Sequence, residues 1–331
     1  MTTRPPARGF GFRRILVILD PAARAQPALE KAARLARGAR ARVELYACGF
    51  REGLNRPGRA LAAARQREVE AGEASLGRLA REQLRGVRIE VRYELGHPRA
   101  ERILARVRRS RSDLVILDSE FHPTARRALF GPADWPLIRD CPAPLLYAKP
   151  ARWHAAPRVA AAVDPLHPAA TGVGLDAAIV GRARALARGL HGSLSLVHAW
   201  LPLEPAVAGP AVLGLPLGGP AEVERLLADA EAQAARAVAA LCRGGGRPAG
   251  EPVLLRGAAV ETLPGFAEVE GLDVLAIGAL SRSRLYDVLV GATAERLLER
   301  VPCDLLVVKV PRPAARRQAA ARRGGRRRAA V

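Results

Sequence analysis

The apolar positions of this chain fall into short runs separated by longer helical patterns, and the same opening occurs twice. Residues 15–20 read ILVILD and residues 159–164 read VAAAVD. Each run has the length of a buried strand, and each is followed by a proline, which cannot continue a strand. The chain therefore contains two units that begin alike.

An amphipathic helical pattern follows each of these strands. Apolar side chains share one helix face over residues 28–36 and again over residues 179–190. Both patterns include the tetrapeptide Leu-Ala-Arg-Gly, which closes at Gly38 and at Gly189. Because a glycine often ends a helix in the left-handed conformation, we predict that these two glycines are the C-caps.

The repeat extends over the rest of both halves. Segments 129–149 and 289–309 align at a constant offset of 160 residues, which pairs Lys149 with Lys309. Strands and helices alternate throughout, so each half reads βαβαβαβαβ and predicts a parallel, doubly wound sheet. The other predicted strands lie at 43–48, 87–94, 113–117, 193–200, 253–256 and 273–277, and the long helices at 61–85 and 221–242.

We therefore expect an α/β fold of two tandem doubly wound parallel-sheet domains that form a pseudo-dimer. The first domain is predicted over residues 12–150 and the second over residues 155–310, each with its own sheet. A single large Rossmann-like domain is the alternative, and one continuous mixed sheet would contradict the prediction of two separate domains. Residues 311–331 form an arginine-rich tail of low complexity, which predicts disorder.

The net charge of +21 suggests a nucleic-acid partner until its composition is considered. Of the 53 basic residues 50 are arginine, and the three lysines are Lys31, Lys149 and Lys309. Selection for phosphate contacts would not exclude lysine, whereas a GC-rich coding bias would. Aromatic residues make up only 4% of the chain, and no RNP-like or helix-turn-helix pattern is present. We therefore expect only weak, nonspecific nucleic-acid binding, through the arginine-rich tail.

The basic charge is unevenly distributed along the chain. Residues 1–150 carry a net charge of +14, residues 151–309 carry −1, and the last 22 residues carry +8. Such asymmetry indicates separate modules followed by a basic tail.

Patterns of catalytic residues are missing from the sequence. The six histidines show no HxxxH spacing, and the GxSxG and CxxC motifs are absent. Cys141 and Cys303 each precede a fifth predicted strand, where a small buried side chain is a better interpretation than a reactive thiol. We expect neither an enzyme nor a metal site, and no apolar run is long enough for a membrane span. The widely spaced cysteines favour a reducing, cytoplasmic location.

The candidate ligand site lies where a doubly wound sheet binds its ligands, at the carboxyl ends of the strands. After the fourth strand of the second half come Gly278 and Ser281, and then, after nine intervening residues, Gly291, Ala292 and Thr293. Glycines in such a loop let backbone N–H groups approach a phosphate. Plain turn glycines are the alternative interpretation, since the Walker motif GxxxxGK[ST] is absent.

This segment resembles the adenine-nucleotide motif of the universal stress protein family, G-x2-G-x9-G-[ST]. The strands that end at Asp20 and Asp164 fit the same family, and the doubled architecture resembles its tandem members. The resemblance spans residues 12–310, all but the tail. It implies a cytoplasmic stress-response protein with strand order 3-2-1-4-5 in each unit, and ATP as the ligand of some members.

The second half departs from that motif at two positions. Ser281 replaces a glycine, and Ala292 replaces the hydroxyl residue, which Thr293 supplies one position later. A serine that must take a positive φ would cost on the order of 1 kcal/mol. We therefore expect weak ATP binding or none, with Asp164 near the adenosine and the loop from Gly278 around the phosphates.

The first half departs from the motif more strongly. Its matching positions are Asp118, Phe121, Gly131 and Pro132, so a single glycine is left. The carboxylate of Asp118 would repel a phosphate, and Pro132 lacks a backbone donor. We expect no ATP binding in this half by the family's route.

These observations predict a noncatalytic stress-response protein with unidentified protein partners, among them a second copy of the chain. One alternative is an adenine-nucleotide protein that binds and hydrolyses ATP. Another is a protein that binds a small apolar ligand or a polyanion. The apolar segment 202–220, rich in proline and glycine, predicts a loop that packs at the domain interface or else closes an apolar cavity.

Overall fold

The structure is a computed structural model, and most of the chain in both halves is described. The arginine-rich tail, residues 311–331, lies outside the described residues, as does the predicted apolar loop up to residue 219. The described residues are 11–20, 23, 26–51, 53–54, 61–96, 99–122, 127–129, 134–167, 174–200, 220–243, 252–279, 296–297 and 299–310.

Strands and helices alternate through the first half as the hydrophobic pattern predicts. A short antiparallel hairpin, which the sequence did not predict, follows the fourth strand. The elements are β1 (Arg14–Leu19), α1 (Pro27–Ala39), β2 (Arg42–Gly49), α2 (Ala62–Gln83), β3 (Arg88–Leu95), α3 (Arg99–Ser110), β4 (Leu114–Asp118), the hairpin strands β5 (Glu120–His122) and β6 (Arg127–Leu129), α4 (Asp134–Asp140) and β7 (Leu145–Ala148).

The second half repeats the five principal strands. Pro220, the last residue of the predicted apolar loop, is the first residue of a long helix. The elements are β8 (Arg158–Ala162), α5 (Leu175–Gly189), β9 (Ser193–Trp200), α6 (Pro220–Arg243), β10 (Pro252–Arg256), α7 (Ala259–Val269), β11 (Val274–Gly278) and β12 (Asp304–Val308).

The strand order within each half is the one that the family resemblance implies. In the first half it is β3-β2-β1-β4-β7, and in the second it is β10-β9-β8-β11-β12. All neighbours within a half are parallel. The prediction of a doubly wound parallel arrangement in each unit, 3-2-1-4-5, is therefore confirmed.

The expectation that each half has its own sheet is wrong. The fifth strands, β7 and β12, pair antiparallel, with Leu145, Leu146 and Tyr147 opposite Val307, Leu306 and Leu305. All ten principal strands thus form one continuous mixed sheet. The physical reason is that a fifth strand left at an edge would expose a row of unpaired backbone donors and acceptors, and pairing the two edges satisfies both. The pseudo-dimer is a fusion of two parallel units through their edges.

Helices cover both faces of this sheet and create two cores. Successive residues of β1 alternate between them: Ile15 and Val17 face one core and Leu16 and Ile18 the other. The first core is covered by α1, α2, α5 and α6, and the second by α3, α4 and α7. Because each core runs through both halves, the helices as well as the strands connect the two units.

The repeated Leu-Ala-Arg-Gly tetrapeptides pack the two halves together. A Cβ placed on Gly38 would lie 1.7 Å from the carbonyl oxygen of Gly189, and one placed on Gly189 would lie 3.0 Å from Leu35 Cδ1. The prediction that these glycines are C-caps is wrong. Helix α1 is capped by Arg40, with φ 52°, and neither glycine has a positive φ. Glycine is required at these positions because α1 and α5 touch there without intervening side chains.

A buried ionic cluster lies at the junction of the halves. Lys31 of α1 donates to Asp304 Oδ1 at 2.7 Å and to the carbonyl oxygen of Lys149 at 2.5 Å. The other oxygen of Asp304 accepts from Trp153 Nε1 at 2.9 Å, and the Lys149 N–H donates to Oδ1 at 2.8 Å. Burial raises the pKa of Asp304 above its ordinary value. A buried carboxylate is stable only with such partners, so this cluster fixes how the halves meet.

The two repeat-related lysines reach reciprocally across the same junction. Lys149, at the end of β7, donates through Nζ to the carbonyl oxygen of Val301 in the second half. Lys309, after β12, donates through Nζ to the carbonyl oxygen of Ile138 in the last turn of α4, at 2.5 Å. An ammonium group suits the carbonyl end of a helix, where partial negative charge accumulates. Each half thus supplies a cation to the other.

Candidate functional site

Two equivalent crevices lie at the carboxyl ends of the strands, one in each half. In the first half β1 and β4 are neighbours, and in the second β8 and β11 are neighbours. These are the places where the chain changes direction across its sheet, because β2 and β9 lie on the other sides of β1 and β8. Ligands of doubly wound sheets bind at such switch points. Of the predicted site residues of the second half, Asp164 and Gly278 lie at its crevice.

Asp164 presents a carboxylate at the second crevice. It follows β8, and 56% of its side chain is exposed. Its backbone is held from both directions, since its N–H donates to Asp176 Oδ1 at 3.0 Å and its carbonyl oxygen accepts from the His167 N–H at 3.1 Å. Asp176 lies in the first turn of α5. The loop is therefore positioned by the helix that follows it, while the Asp164 carboxylate faces solvent.

His198 of β9 lies beneath this loop and supports it. The ring is buried, and Nδ1 lies 2.9 Å from the carbonyl oxygen of Val163 and 3.9 Å from Asp164 Oδ1. Because a carbonyl only accepts, Nδ1 carries the proton of this hydrogen bond. His198 is therefore a core residue whose Nδ1 is committed to the backbone.

Gly278 ends β11 beside Asp164, and its environment explains why glycine stands there. A Cβ at this position would lie 2.7 Å from Leu175 Cδ2 and 2.9 Å from Ile179 Cδ1, both on α5. The next N–H, that of Ala279, donates to the carbonyl oxygen of Val308 at 2.9 Å. Gly278 therefore lets α5 pack closely on the sheet, which is one of the roles that glycine has in dinucleotide-binding folds. A second role, toward a phosphate, stays a prediction.

The remaining predicted site residues of the second half lie outside the described part of the chain. The structure brings Asp164 and Gly278 to the same crevice. The four residues of the loop that follows β11 are not described: Ser281, Gly291, Ala292 and Thr293.

The first crevice has a carboxylate in the place of Gly278. Asp118 ends β4, and its Oδ1 accepts the N–H of Ala28, in the first turn of α1, at 2.6 Å. Burial raises the pKa of Asp118 to about 6. Among the described residues its other oxygen, Oδ2, is buried without a hydrogen-bond partner. A helix N-terminus is where a doubly wound fold holds a phosphate, and here the protein's own carboxylate occupies it.

Asp20, the counterpart of Asp164, also differs in its surroundings. Arg99 Nη1 lies 4.0 Å from Asp20 Oδ2, and Arg99 Nη2 donates to the carbonyl oxygen of Leu19 at 3.5 Å. The position that corresponds to Arg99 in the second half is Ala259. The carboxylate of the first crevice therefore faces a guanidinium, whereas the repeat places an uncharged residue near Asp164.

The cysteines show no sign of activation. Cys141 and Cys303 are buried at the entries to β7 and β12, and burial raises the pKa of the Cys303 thiol to about 12. A thiol with a raised pKa stays protonated and is a poor nucleophile. Within the described residues, no group of three histidine, cysteine or acidic side chains could hold a metal ion. None of the described helices is both long and apolar enough to cross a membrane.

Comparison with known proteins agrees with the fold and with the repeat. The model of the universal stress protein family matches residues 11–149 and again residues 158–309. Universal stress protein E of Escherichia coli K12 is 26% identical over 309 residues, which cover 90% of this chain and 94% of that protein. The counterpart from Salmonella typhi is equally similar, with 26% identity over 309 residues and the same coverage of both chains.

Solved structures show the same architecture. A protein of unknown function from Pseudomonas aeruginosa PAO1 has a TM-score of 0.64 and 23% identity, covering 91% of this chain and 94% of its own. A universal stress protein from Archaeoglobus fulgidus has a TM-score of 0.62 and 14% identity, covering 91% and 99%. At these identities the structures support the fold alone, and the two family matches settle the affiliation. The chain belongs to the universal stress protein family and contains two tandem copies of its domain.

Proposed function

We propose that this chain is a noncatalytic, cytoplasmic stress-response protein in which only the second domain keeps a weak adenine-nucleotide site. The observation that carries the proposal is the contrast between the crevices. The second has an exposed carboxylate, Asp164, beside a glycine, Gly278. The first has Asp118 seated on the N-terminus of α1.

In the proposed complex the adenosine lies near Asp164. A carboxylate at this position can accept hydrogen bonds from ribose hydroxyls. The phosphates lie toward the loop of Ser281, Gly291, Ala292 and Thr293, where Arg282 or Arg284 would neutralise charge. Weak affinity follows from Ser281 and Ala292, because a loss of about 3 kcal/mol would turn a micromolar site into one above about 0.1 mM.

Titration calorimetry of the full chain with magnesium and ATP tests the site. We expect a dissociation constant of about 0.1 mM or weaker. Asp164→Ala should abolish the binding, whereas the matched change Asp20→Ala in the first half should leave it unchanged. Equal effects of the two variants, or tight micromolar binding, would contradict the proposal.

The rival function is ATP hydrolysis. It needs a base or a metal ligand beside the loop, and the described part of the crevice offers His198 only as a buried ring with Nδ1 on a backbone carbonyl. Release of phosphate from ATP at a rate abolished by Gly291→Ala would establish the enzyme instead. ATP bound without turnover would favour the noncatalytic role.

A further inference from the structure

An open groove at the outer edge of the first half is lined with arginines. It lies between the start of α2, the end of β3 and α3, and its volume is about 490 Å³. Its charged lining consists of Arg65, Arg102, Arg109 and a single carboxylate, Glu94. We call it the edge groove. It is separate from both crevices, because β3 is the edge strand of the sheet and the crevice lies at β1 and β4.

Two arginines of helix α3, Arg102 and Arg109, line the groove. Arg99, Arg102, Arg106 and Arg109 recur every three or four residues, so they share one face of the helix. The opposite face is buried in the core. Arg106 is almost fully covered and forms an ion pair with Glu44. Arg102 and Arg109 keep 45% and 60% of their side chains exposed, so their guanidinium groups are accessible from the groove.

Glu94 lies between these guanidinium groups and cannot neutralise both. Its Oε1 lies 3.3 Å from Arg109 Nη2, and its Oε2 lies 3.9 Å from Arg102 Nη1. The same Oε2 accepts the hydroxyl hydrogen of Tyr46 at 3.1 Å. One carboxylate is thus shared by two arginines, and Arg65 adds a third cation. The groove therefore has excess positive charge held at a fixed place.

Other carboxylates near this edge are committed elsewhere. Glu68 of α2 forms an ion pair with Arg51 at 2.9 Å, and Glu73 lies 3.8 Å from Arg92. They project from the same helix as Arg65 but do not line the groove.

The second half shows that coding bias does not account for this cluster. Both halves are encoded with the same preference for arginine over lysine. The repeat nevertheless places uncharged residues on α7 where α3 has its four arginines, and a leucine where the groove has Glu94. The groove's charged residues on α3 and β3 have no charged counterpart in the second half. The counterparts of Arg99, Arg102, Arg106, Arg109 and Glu94 are Ala259, Thr262, Phe266, Val269 and Leu255.

The wall opposite Arg102 and Arg109 is formed by α2, where Arg65 and the half-buried Val69 lie one turn apart. Tyr93 and Leu95 of β3 form the buried floor. Guanidinium groups bind phosphoryl oxygens through paired hydrogen bonds, and an apolar side chain such as Val69 offers a surface for an organic group. The volume is that of a pocket for a small organic molecule rather than for a single ion. We propose that the edge groove binds a small phosphorylated molecule, with the phosphoryl group among Arg65, Arg102 and Arg109 and the organic part against Val69.

Titration of the full chain with phenyl phosphate at low salt, monitored by ligand-observed NMR, tests this site. We expect saturable binding that is tighter than that of inorganic phosphate. Arg102→Gln and Arg65→Gln should each weaken it about tenfold, the effect of losing one hydrogen bond to a charged group. As a control, Arg225→Gln removes an exposed arginine from α6 of the second half and should leave the binding unchanged.

Glu94→Gln provides a readout that a merely structural role would not give. It removes the competing negative charge and keeps an acceptor for Tyr46, so it should strengthen binding of phenyl phosphate. Asp164→Ala should have no effect, which separates this site from the nucleotide proposal. Equal weakening by Arg225→Gln, or weaker binding in Glu94→Gln, would overturn the proposal. Failure of phenyl phosphate to bind would also overturn the proposal. If the protein then retained a DNA duplex and Arg102→Gln abolished that retention, the groove would be assigned to polyanions.

Discussion

At the scale of single residues, the two crevices differ chiefly by Asp118 and Gly278, which occupy equivalent positions of the repeat. Gly278 makes room for Leu175 and Ile179, whereas Asp118 turns toward the first turn of α1. Helix α1 has no side-chain cap of its own from Gln26, so a carboxylate from a distant strand does that work. In the first crevice, the Asp118 carboxylate therefore occupies the helix N-terminus that a ligand's phosphate could otherwise bind.

The buried carboxyl of Asp118 makes stability depend on pH. Its pKa in the folded protein is raised to about 6 by burial, above that of an unfolded aspartate, so the folded state binds this proton more tightly. The contribution is complete below about pH 4 and is lost as pH rises through about 6, at most about 3 kcal/mol. We expect Asp118→Asn to gain stability relative to the natural protein between pH 4 and 8, measured by urea unfolding.

Asp118→Ala is the matched comparison for that measurement. It removes the same charge but also the acceptor for the Ala28 N–H, so it should be less stable than Asp118→Asn by about 1 kcal/mol at every pH. A stability difference between Asp118→Asn and the natural protein that does not change with pH would show that another group governs the titration.

The residues of the first crevice could be predicted from the sequence, whereas those of the edge groove could not. A carboxylate at a glycine position is visible in a repeat alignment, and its effect on a phosphate follows from charge alone. The arginines of α3 could not be distinguished from the rest of an arginine-rich chain until the structure placed Arg102 and Arg109 beside Glu94. A residue-by-residue comparison of α3 with α7 could have identified these arginines, because α7 has uncharged residues at the same positions.

At the scale of elements, α1 and α5 cross in close contact. The closeness rests on Gly38 and Gly189, which meet without side chains. An added methyl group at Gly38 would collide with backbone rather than with a movable side chain, so the two helices would have to separate.

We therefore expect Gly38→Ala to lower the free energy of unfolding by about 3 kcal/mol. Gly77→Ala is the matched control, since Gly77 also lies in a helix, and its nearest neighbour would be Arg81 Nη1 at 3.7 Å. That change should instead stabilise the protein by about 1 kcal/mol, because alanine favours the helix. Chemical unfolding of both variants checks the difference, and similar values for the two would show that the helices can separate without cost.

The elements themselves were predictable to within a few residues, but the role of these glycines was not. Periodicity identifies a helix and the side that it buries. It cannot distinguish a glycine that ends a helix from one that admits a neighbouring helix, because both stand near the end of the pattern. Arg40 and not Gly38 takes the left-handed conformation after α1. The hairpin of β5 and β6 was missed for a similar reason, since three-residue strands have no period to detect.

At the scale of the whole molecule, the continuous sheet and the two shared cores make the halves one structure. Asp304 belongs to the second half, yet its partners Lys31, Lys149 and Trp153 precede the second domain. Loss of either half would leave buried charge and an open strand edge in the other. The two domains should therefore unfold together.

Variants that each lack one tryptophan can show whether they do. One carries Trp200→Phe and reports from Trp135 of α4, the other carries Trp135→Phe and reports from Trp200 of β9, and both keep Trp153, whose Nε1 donates to Asp304 at the junction. We expect the two fluorescence transitions in urea to coincide with each other and with circular dichroism. Asp304→Asn should lower the free energy of unfolding by about 3 kcal/mol or more, as breaking a buried ion pair does, and both urea midpoints should fall together.

The exposed pair of Arg51 and Glu68 provides the control for that shift. Glu68→Gln should change the free energy of unfolding by less than about 1 kcal/mol. Separate midpoints for the two tryptophans would mean that the halves fold independently in spite of the shared sheet.

The junction could not be predicted from the sequence. A fifth strand such as β7 reads as apolar on both faces whether it lies at an edge or between two neighbours. The alignment of Lys149 with Lys309 showed that the two strand ends are equivalent, and the structure adds that each lysine crosses to the other half. Local sequence patterns do not show whether two equivalent edge strands, here β7 and β12, pair with each other.

The three lysines are the only side-chain amines among 331 residues, and all three lie at this junction. Lys31 and Lys149 are buried and Lys309 is half-buried. Each Nζ is within hydrogen-bond distance of a backbone carbonyl oxygen. An acylating reagent that modifies amines but spares guanidinium groups would thus sample one place in the fold. The scarcity of lysine in this chain thus makes its three side-chain amines a chemical reporter of contact between the halves.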